Sequence, residues 1–216
     1  MDFTAGLTTI LVVLPILAAA LCAVLRSRPL RSALVLMTGG ILVAASLMLI
    51  PLTPFSFRVE SVLGLPLHRL VQVADFLLLF IILYFGFKYQ HLLIQILAIL
   101  QIVLLAWLEF GLIRGPTATV QIYADHLSLI MVLIISIVGS IICFQAIPYM
   151  QRHEEHYHVA RSRQHRFFFV MLLFLGAMNG LVLCNDMVWV YFFFELTTLC
   201  SFLLIGHDRT KLATQN

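Results

Sequence analysis

Charge is what this chain has least of. Of its 216 residues only 11% are Asp, Glu, Lys or Arg, while 62% are hydrophobic. A water-soluble domain carries about 25% charged residues, so most of this surface is expected to face lipid. Cysteine is scarce as well, and Cys22, Cys143, Cys184 and Cys200 all lie inside apolar runs without C-x-x-C spacing. That pattern predicts neither a disulfide nor a cysteine-held metal or iron–sulfur cluster. No Ser-His-Asp order, phosphate-cradling glycine loop or dinucleotide fingerprint stands in a usable strand–loop–helix context, so no catalytic centre is expected here. The net charge of +3 does not indicate nucleic acid, because the basic residues sit in short breaks rather than on one face. Met1-Asp2-Phe3 lacks the basic flank of a cleaved leader, so the first helix is expected to stay as an anchor.

Long apolar runs are abundant. A bilayer core of about 30 Å needs roughly 20 apolar residues in a helix that rises about 1.5 Å per residue. The runs predict helices at 7–25, 33–52, 71–87, 91–113, 126–150, 167–184 and 187–206. None alternates with period 2, and continuous apolar runs in lipid choose helices because backbone groups must bond within their own segment. The expected fold class is therefore an all-α integral membrane bundle of about seven transmembrane helices. The odd breaks hold Arg26, Arg28, Arg31, Lys88, Arg152, Arg161, Arg163, Arg166, Arg209 and Lys211, against Arg58, Arg69 and Arg114 in the even ones. Under the positive-inside rule this asymmetry places the N-terminus outside and the C-terminus in the cytoplasm. The 53–70 break, with Pro54, Gly64 and Pro66 among leucines, is expected along the outer interface, and the only long polar segment runs from Gln151 to Gln164.

An ionisable group at mid-helix in a membrane costs about 2.5 to 3.5 kcal/mol on insertion scales, which makes each one a functional candidate. Asp75, Glu109 and Asp125 fall near expected helix ends, where water or headgroups can solvate them. Glu195 falls nine residues into the last helix, roughly 13 Å from its outer end. Tyr191, Thr198 and Phe202 share its face at spacings i−4, i+3 and i+7. Burial alone would favour the neutral acid there and a nearby cation the carboxylate, so such a group can switch. The competing reading is a Glu kept protonated and hydrogen-bonded to a carbonyl. Every Lys and Arg is expected in a break or at a helix end, so any cationic partner of Glu195 must come from elsewhere. All eight histidines also lie in breaks or at helix ends, which argues against haem held at matched depth between helices. The cluster His153-Glu154-Glu155-His156-Tyr157-His158 offers zinc-type ligands but not the H-E-x-x-H spacing, and reads as a solvated, weakly pH-sensitive loop. Gly39-Gly40, Pro15 and Pro148 have a helix-packing or kink explanation.

The run Tyr123-Ala124-Asp125-His126-Leu127-Ser128, then Tyr149-Met150, Arg166-Phe167-Phe168, Leu173-Phe174 and Met178, then Phe194-Glu195-Leu196 and Ser201-Phe202-Leu203-Leu204-Ile205-Gly206, resembles the antiporter-like subunits of complex I. That family also includes multisubunit cation/proton antiporter subunits and the membrane arms of energy-converting hydrogenases and formate hydrogenlyases. The resemblance covers about 123–216 and is nearest to the large, subunit-L-type or hydrogenase-type branch. It divides the chain into 1–122, of shared membrane architecture only, and 123–216, the start of an antiporter-like domain. It implies that Glu195 is the membrane carboxylate that pairs with a Lys on a later helix and tunes proton transfer, with Phe194 where a Trp usually stands. Thr198, Tyr191, Asp125, Glu109 and Asp75 are the accessory candidates. The lysine-bearing helices of the family lie downstream of Asn216, so a truncated, split or partial product is expected.

Two functions follow from these residues. In the first, the chain contributes to proton or sodium translocation coupled to electron transfer, in a bacterial or archaeal cytoplasmic membrane. Its partners are then other membrane subunits of a respiratory or hydrogenase complex, which carry the redox cofactors while this chain carries none. In the second, the chain is a non-conducting structural or assembly module, or an inactive fragment.

Overall fold

The computed structural model describes residues 3–25, 27–57, 61–62, 65–88, 90, 92–108, 120–156 and 164–206. Seven α-helices run in order: α1 Phe3–Val24, α2 Arg28–Met48, α3 Leu67–Lys88, α4 Leu92–Trp107, α5 His126–His156, α6 Gln164–Leu183 and α7 Met187–Ile205. Six helical stretches are long and apolar enough to cross a membrane, α2 being carried on to Leu52 by a 3-10 turn, and α4 is a shorter apolar helix. The chain is an all-α membrane protein of about seven helices, as its apolar runs require.

Several helices extend beyond the limits read from hydropathy, α1 starting at Phe3, α2 at Arg28 and α6 at Gln164, three to five residues before the expected 7, 33 and 167. Helix α3 starts at Leu67 rather than near 71, and α5 runs on to His156 rather than stopping near 150. In both cases the extra turns contain His, Arg, Gln or Glu, polar residues that lower the hydropathy of a segment without ending a helix. The His153–His156 stretch is thus helical and not loop, and among the described residues no group of His, Cys, Asp and Glu is arranged for a metal ion. The expected fourth helix is helical to Leu108, and its expected end at 113 lies outside the described residues. Short strands occupy the breaks. Strands β1 (Phe55–Phe57) and β4 (Ile122–Ala124) form one two-stranded sheet. Strands β2 (Ser61–Val62) and β3 (Leu65–Pro66) form an antiparallel pair with Ser61 opposite Pro66, a sheet edge where the missing proline N–H is tolerated.

The chain divides into two compact units. The first comprises Met1–Ser56, Tyr123–Cys184 and Phe193–Asn216; the second comprises Phe57–Ile122 and Asn185–Phe192.

In the first unit α1 packs chiefly on α6 and α2 on α5. The inward face of α2 is Arg31, Val35, Thr38, Gly39, Leu42, Ala45 and Ser46, a helical period in which small residues let backbones come close. A Cβ on Gly39 would lie 2.5 Å from the Phe144 ring, and the Ser140 hydroxyl donates to the Gly39 carbonyl at 3.2 Å. Pro15, inside α1, has no N–H for the carbonyl one turn before it, that of Leu11. The buried Asn179 amide of α6 donates to that Leu11 carbonyl at 3.3 Å. A side chain from one helix thereby repairs a proline defect in another.

In the second unit α3 packs on α4. Gln90 sits in the turn between them with φ 55°, and the Gln95 amide donates to the Gly86 carbonyl at 3.0 Å, covering an acceptor in the last turns of α3. Buried positions on α3 are Val71, Asp75, Leu78 and Leu79, and on α4 Ala98 and Leu105. The rest of α4 is largely exposed and apolar, Leu92 and Leu93 being 68% and 70% exposed.

Candidate ion-transfer site

Helix α7 begins where Asp186 accepts a hydrogen bond from the Val188 N–H at 3.0 Å through Oδ1, an N-cap. Its placement in the first unit is set by Phe193, whose ring lies where a Cβ on Gly180 would be, 2.6 Å away. Only a residue without a side chain allows α6 and α7 to meet this closely. Two residues further along, Glu195 is 6% exposed. It stands eight residues beyond Met187, about 12 Å along the axis. Its position along the helix is the one read from the sequence, and the carboxyl group is screened from bulk solvent by protein.

Its helical neighbours are less uniform than spacing suggests. Thr198 and Phe202 are exposed, Phe202 by 71%. The hydroxyls of Thr197 and Thr198 donate to the Phe194 carbonyl at 2.7 and 3.0 Å, and Ser201 donates to the Thr197 carbonyl at 2.9 Å. These hydroxyls are engaged by their own helix. Tyr191 belongs to the second unit, where the Gln101 amide donates to its hydroxyl at 2.5 Å.

The other carboxylates separate by environment. Asp125 is the N-cap of α5: its Oδ1 accepts from the Ser128 N–H at 2.7 Å. That backbone hydrogen bond, with a further one from the Ser128 side chain, holds the Asp125 carboxyl below the usual carboxylate range. Glu109 lies outside the described residues. Asp75 departs from the expectation of a solvated, interfacial group, because it is 0% exposed. The earlier start of α3 puts it eight residues inside the helix, about 12 Å from Leu67.

One buried polar cluster is absent from the sequence reading. Arg31, in the first turn of α2, is only 3% exposed although it stands at a helix end. Its Nη2 donates to Gln164 Oε1 at 2.6 Å, and Gln164 Nε2 donates to Glu154 Oε2 at 2.7 Å. Arg28 pairs with the same Glu154 oxygen at 3.5 Å, and the Arg31 guanidinium lies over the Phe168 ring, 5.8 Å from its centre. A single amide thus links a buried cation on α2 to a carboxylate on α5. Arg31 and Gln164 are 133 residues apart in sequence, and no local spacing announces such a pair.

Residues 107–168 match the family model for the N-terminus of chain 5 of NADH-ubiquinone oxidoreductase (complex I). The chain is also similar to the Na(+)/H(+) antiporter subunit A1 of Staphylococcus haemolyticus, 36% identical over 94 residues, which are 44% of this chain and 11% of that protein. The subunit A1 of Staphylococcus aureus matches with the same identity and coverage. The chain therefore aligns with about a ninth of the length of these curated relatives. The resemblance of the chain to the N-terminal portion of antiporter-like membrane subunits is borne out as a similarity.

Proposed function

We propose that this chain contributes to proton or sodium translocation within a multisubunit membrane complex, with Glu195 as the carboxylate that takes up and releases the moving ion. The observation that carries the reading is a Glu only 6% exposed, about 12 Å inside a helix that otherwise has no charged residue. The similarity to complex I chain 5 and to antiporter subunit A1 supports a transport setting for the chain. A group so placed is neutral when protonated and costly to ionise alone, so ion transfer needs a partner cation or a hydrogen-bonded water to be brought to it. Within α7 the threonine and serine hydroxyls are already donating to carbonyls, which leaves the carboxyl as the group able to change charge. Coupling to electron transfer in an NADH-quinone oxidoreductase-like or hydrogenase complex, in a bacterial or archaeal cytoplasmic membrane, extends the same reading. So does an orientation with the N-terminus outside, for which the Lys and Arg distribution is the support.

Glu195→Gln in the assembled complex tests the function. The amide keeps the volume and hydrogen-bonding reach but not the titratable proton. Ion translocation in reconstituted vesicles should be lost with assembly intact, and Glu195→Asp should retain part of it. Unchanged translocation by the Gln variant would favour the non-conducting structural module instead. For orientation, a cysteine replacing the exposed Arg152 should react with a membrane-impermeant maleimide from the cytoplasmic side only.

A further inference from the structure

The second unit contains an ionisable group that the reading of Glu195 does not use. Asp75 is 0% exposed and shares the inward face of α3 with Val71, Leu78 and Leu79. Between Arg69 and Lys88 it is the only charged residue of α3, and α4 from Leu92 to Trp107 has none. A lasting bare carboxylate there would be costly, so the group must exist with a proton or a counter-ion. Two further features of the same unit bear on which. The Gln101 amide donates a hydrogen bond to the Tyr191 hydroxyl. The indole N–H of Trp189, a residue 5% exposed, has no hydrogen-bond partner. A buried indole N–H ordinarily finds an acceptor, so this unit holds a buried donor suited to a water or an acid and not to a metal cation. Hard cations also need several oxygen ligands at once, and among the described residues no group of His, Cys, Asp and Glu is arranged to hold a metal ion.

We propose that the α3–α4 unit carries a proton-binding site of its own, in which Asp75 is reversibly protonated within the membrane, separately from Glu195. The inference rests on the transport reading only in supposing that protons move through the parent complex. The site needs no downstream helix to exist, because the buried position of Asp75 is already formed in this chain.

The test uses the full complex in vesicles and dicyclohexylcarbodiimide, an apolar reagent that adds to protonated carboxyl groups shielded from water and leaves a stable N-acylurea on the peptide. Mass spectrometry should find the adduct on Asp75, falling roughly tenfold per pH unit once the pH passes the group's titration point. Sodium at fixed pH should not protect it. In parallel, Asp75→Asn should lower proton translocation about twofold or more without loss of assembly, and Asp75→Glu should restore part of it. No adduct on Asp75 at any pH, protection by sodium, or unchanged translocation in Asp75→Asn would each overturn the proposal. Because Glu195→Gln is assayed alongside, loss of translocation there with none in Asp75→Asn would sink this site and leave the Glu195 reading standing. An Asp75 adduct together with an inert Glu195→Gln would do the reverse.

Discussion

The two units handle membrane burial differently. In the first, helices approach through glycine and serine, and cross-helix hydrogen bonds join several of them: Asn179 to Leu11, Ser140 to Gly39 and Arg31 to Gln164. In the second, a helical hairpin keeps one narrow inward face and leaves most of α4 exposed and apolar. Lipid tails are as apolar as leucine, so no hydrophobic force drives helices together inside a bilayer. Close packing and polar contacts must do so. By that measure the first unit is built to hold its own shape, whereas the second, among the described residues, is joined by fewer specific contacts and should tolerate more change.

The largest expected effect comes from breaking the first unit's close packing. Gly180→Val would drive a branched side chain into the Phe193 ring, which already lies 2.6 Å from the position of a Cβ. Overpacking of this kind costs about 1–3 kcal/mol and sometimes more, read as earlier unfolding when sodium dodecyl sulfate is titrated into mixed micelles. Gly40→Val is the control, since nothing lies within 4 Å of a Cβ there, and it should unfold with the parent. In the second unit, Gly86→Ala meets Ile94 at 3.3 Å, a flexible side chain, and should fall between the two.

The Arg31 cluster gives the next effect. Gln164→Leu removes the acceptor of a buried guanidinium and a donor to Glu154 in one step. Hydrogen bonds to charged groups contribute about 1.5–3 kcal/mol each way they are lost. The same micelle titration should show that loss, and Arg31→Met combined with Gln164→Leu should recover part of it because no buried charge is then stranded. A double variant less stable than Gln164→Leu alone would mean that the guanidinium is held mainly by other contacts, such as the Phe168 ring.

This cluster also marks the limit of what the sequence discloses. Helix number was legible because each span had to supply its own run of apolar residues, and Glu195 because a single charge interrupts such a run. The extent of α3 was not, since His68 and Arg69 look like a break although the helix already runs through them. With the start of α3 misplaced, Asp75 was put near an interface although it is fully buried. Arg31 was placed in the break before α2 although it lies in the first turn of that helix, and its burial depends on α5 and α6, which only the fold brings alongside. Asp186, buried at the start of α7, was overlooked in the same way.

A smaller effect isolates the proline repair in the first unit. Asn179→Leu should cost about 1–3 kcal/mol by leaving the Leu11 carbonyl without its donor. Pro15→Ala restores a backbone N–H one turn after Leu11, so the same Asn179→Leu change made in that background should be milder. The double-mutant cycle measures this coupling. Strict additivity of the two changes would show that the Asn179 amide does not serve the carbonyl that Pro15 exposes.

The smallest effect lies at the start of α5, where the first unit resumes. Asp125 Oδ1 accepts the Ser128 N–H at 2.7 Å, and this hydrogen bond is the main reason its carboxyl titrates below the ordinary range. A carboxyl whose folded value is lowered adds stability that is complete above its unfolded value of about 3.9 and disappears as the pH falls through the folded value. Helix-end stability should accordingly be flat from neutral pH to about 5 and decline only in stronger acid. Asp125→Asn keeps a side-chain oxygen for the Ser128 N–H but no charge, so it should behave nearly like the parent at neutral pH and lose the acid-dependent step. Asp125→Ala removes the cap altogether and should speed hydrogen exchange at the Ser128 amide a few-fold at neutral pH, with global unfolding almost unmoved. Equal exchange in the Asn and Ala variants would show that the oxygen does not cap the helix in solution. The accessory role considered for Asp125 in ion transfer would then regain weight over a structural one.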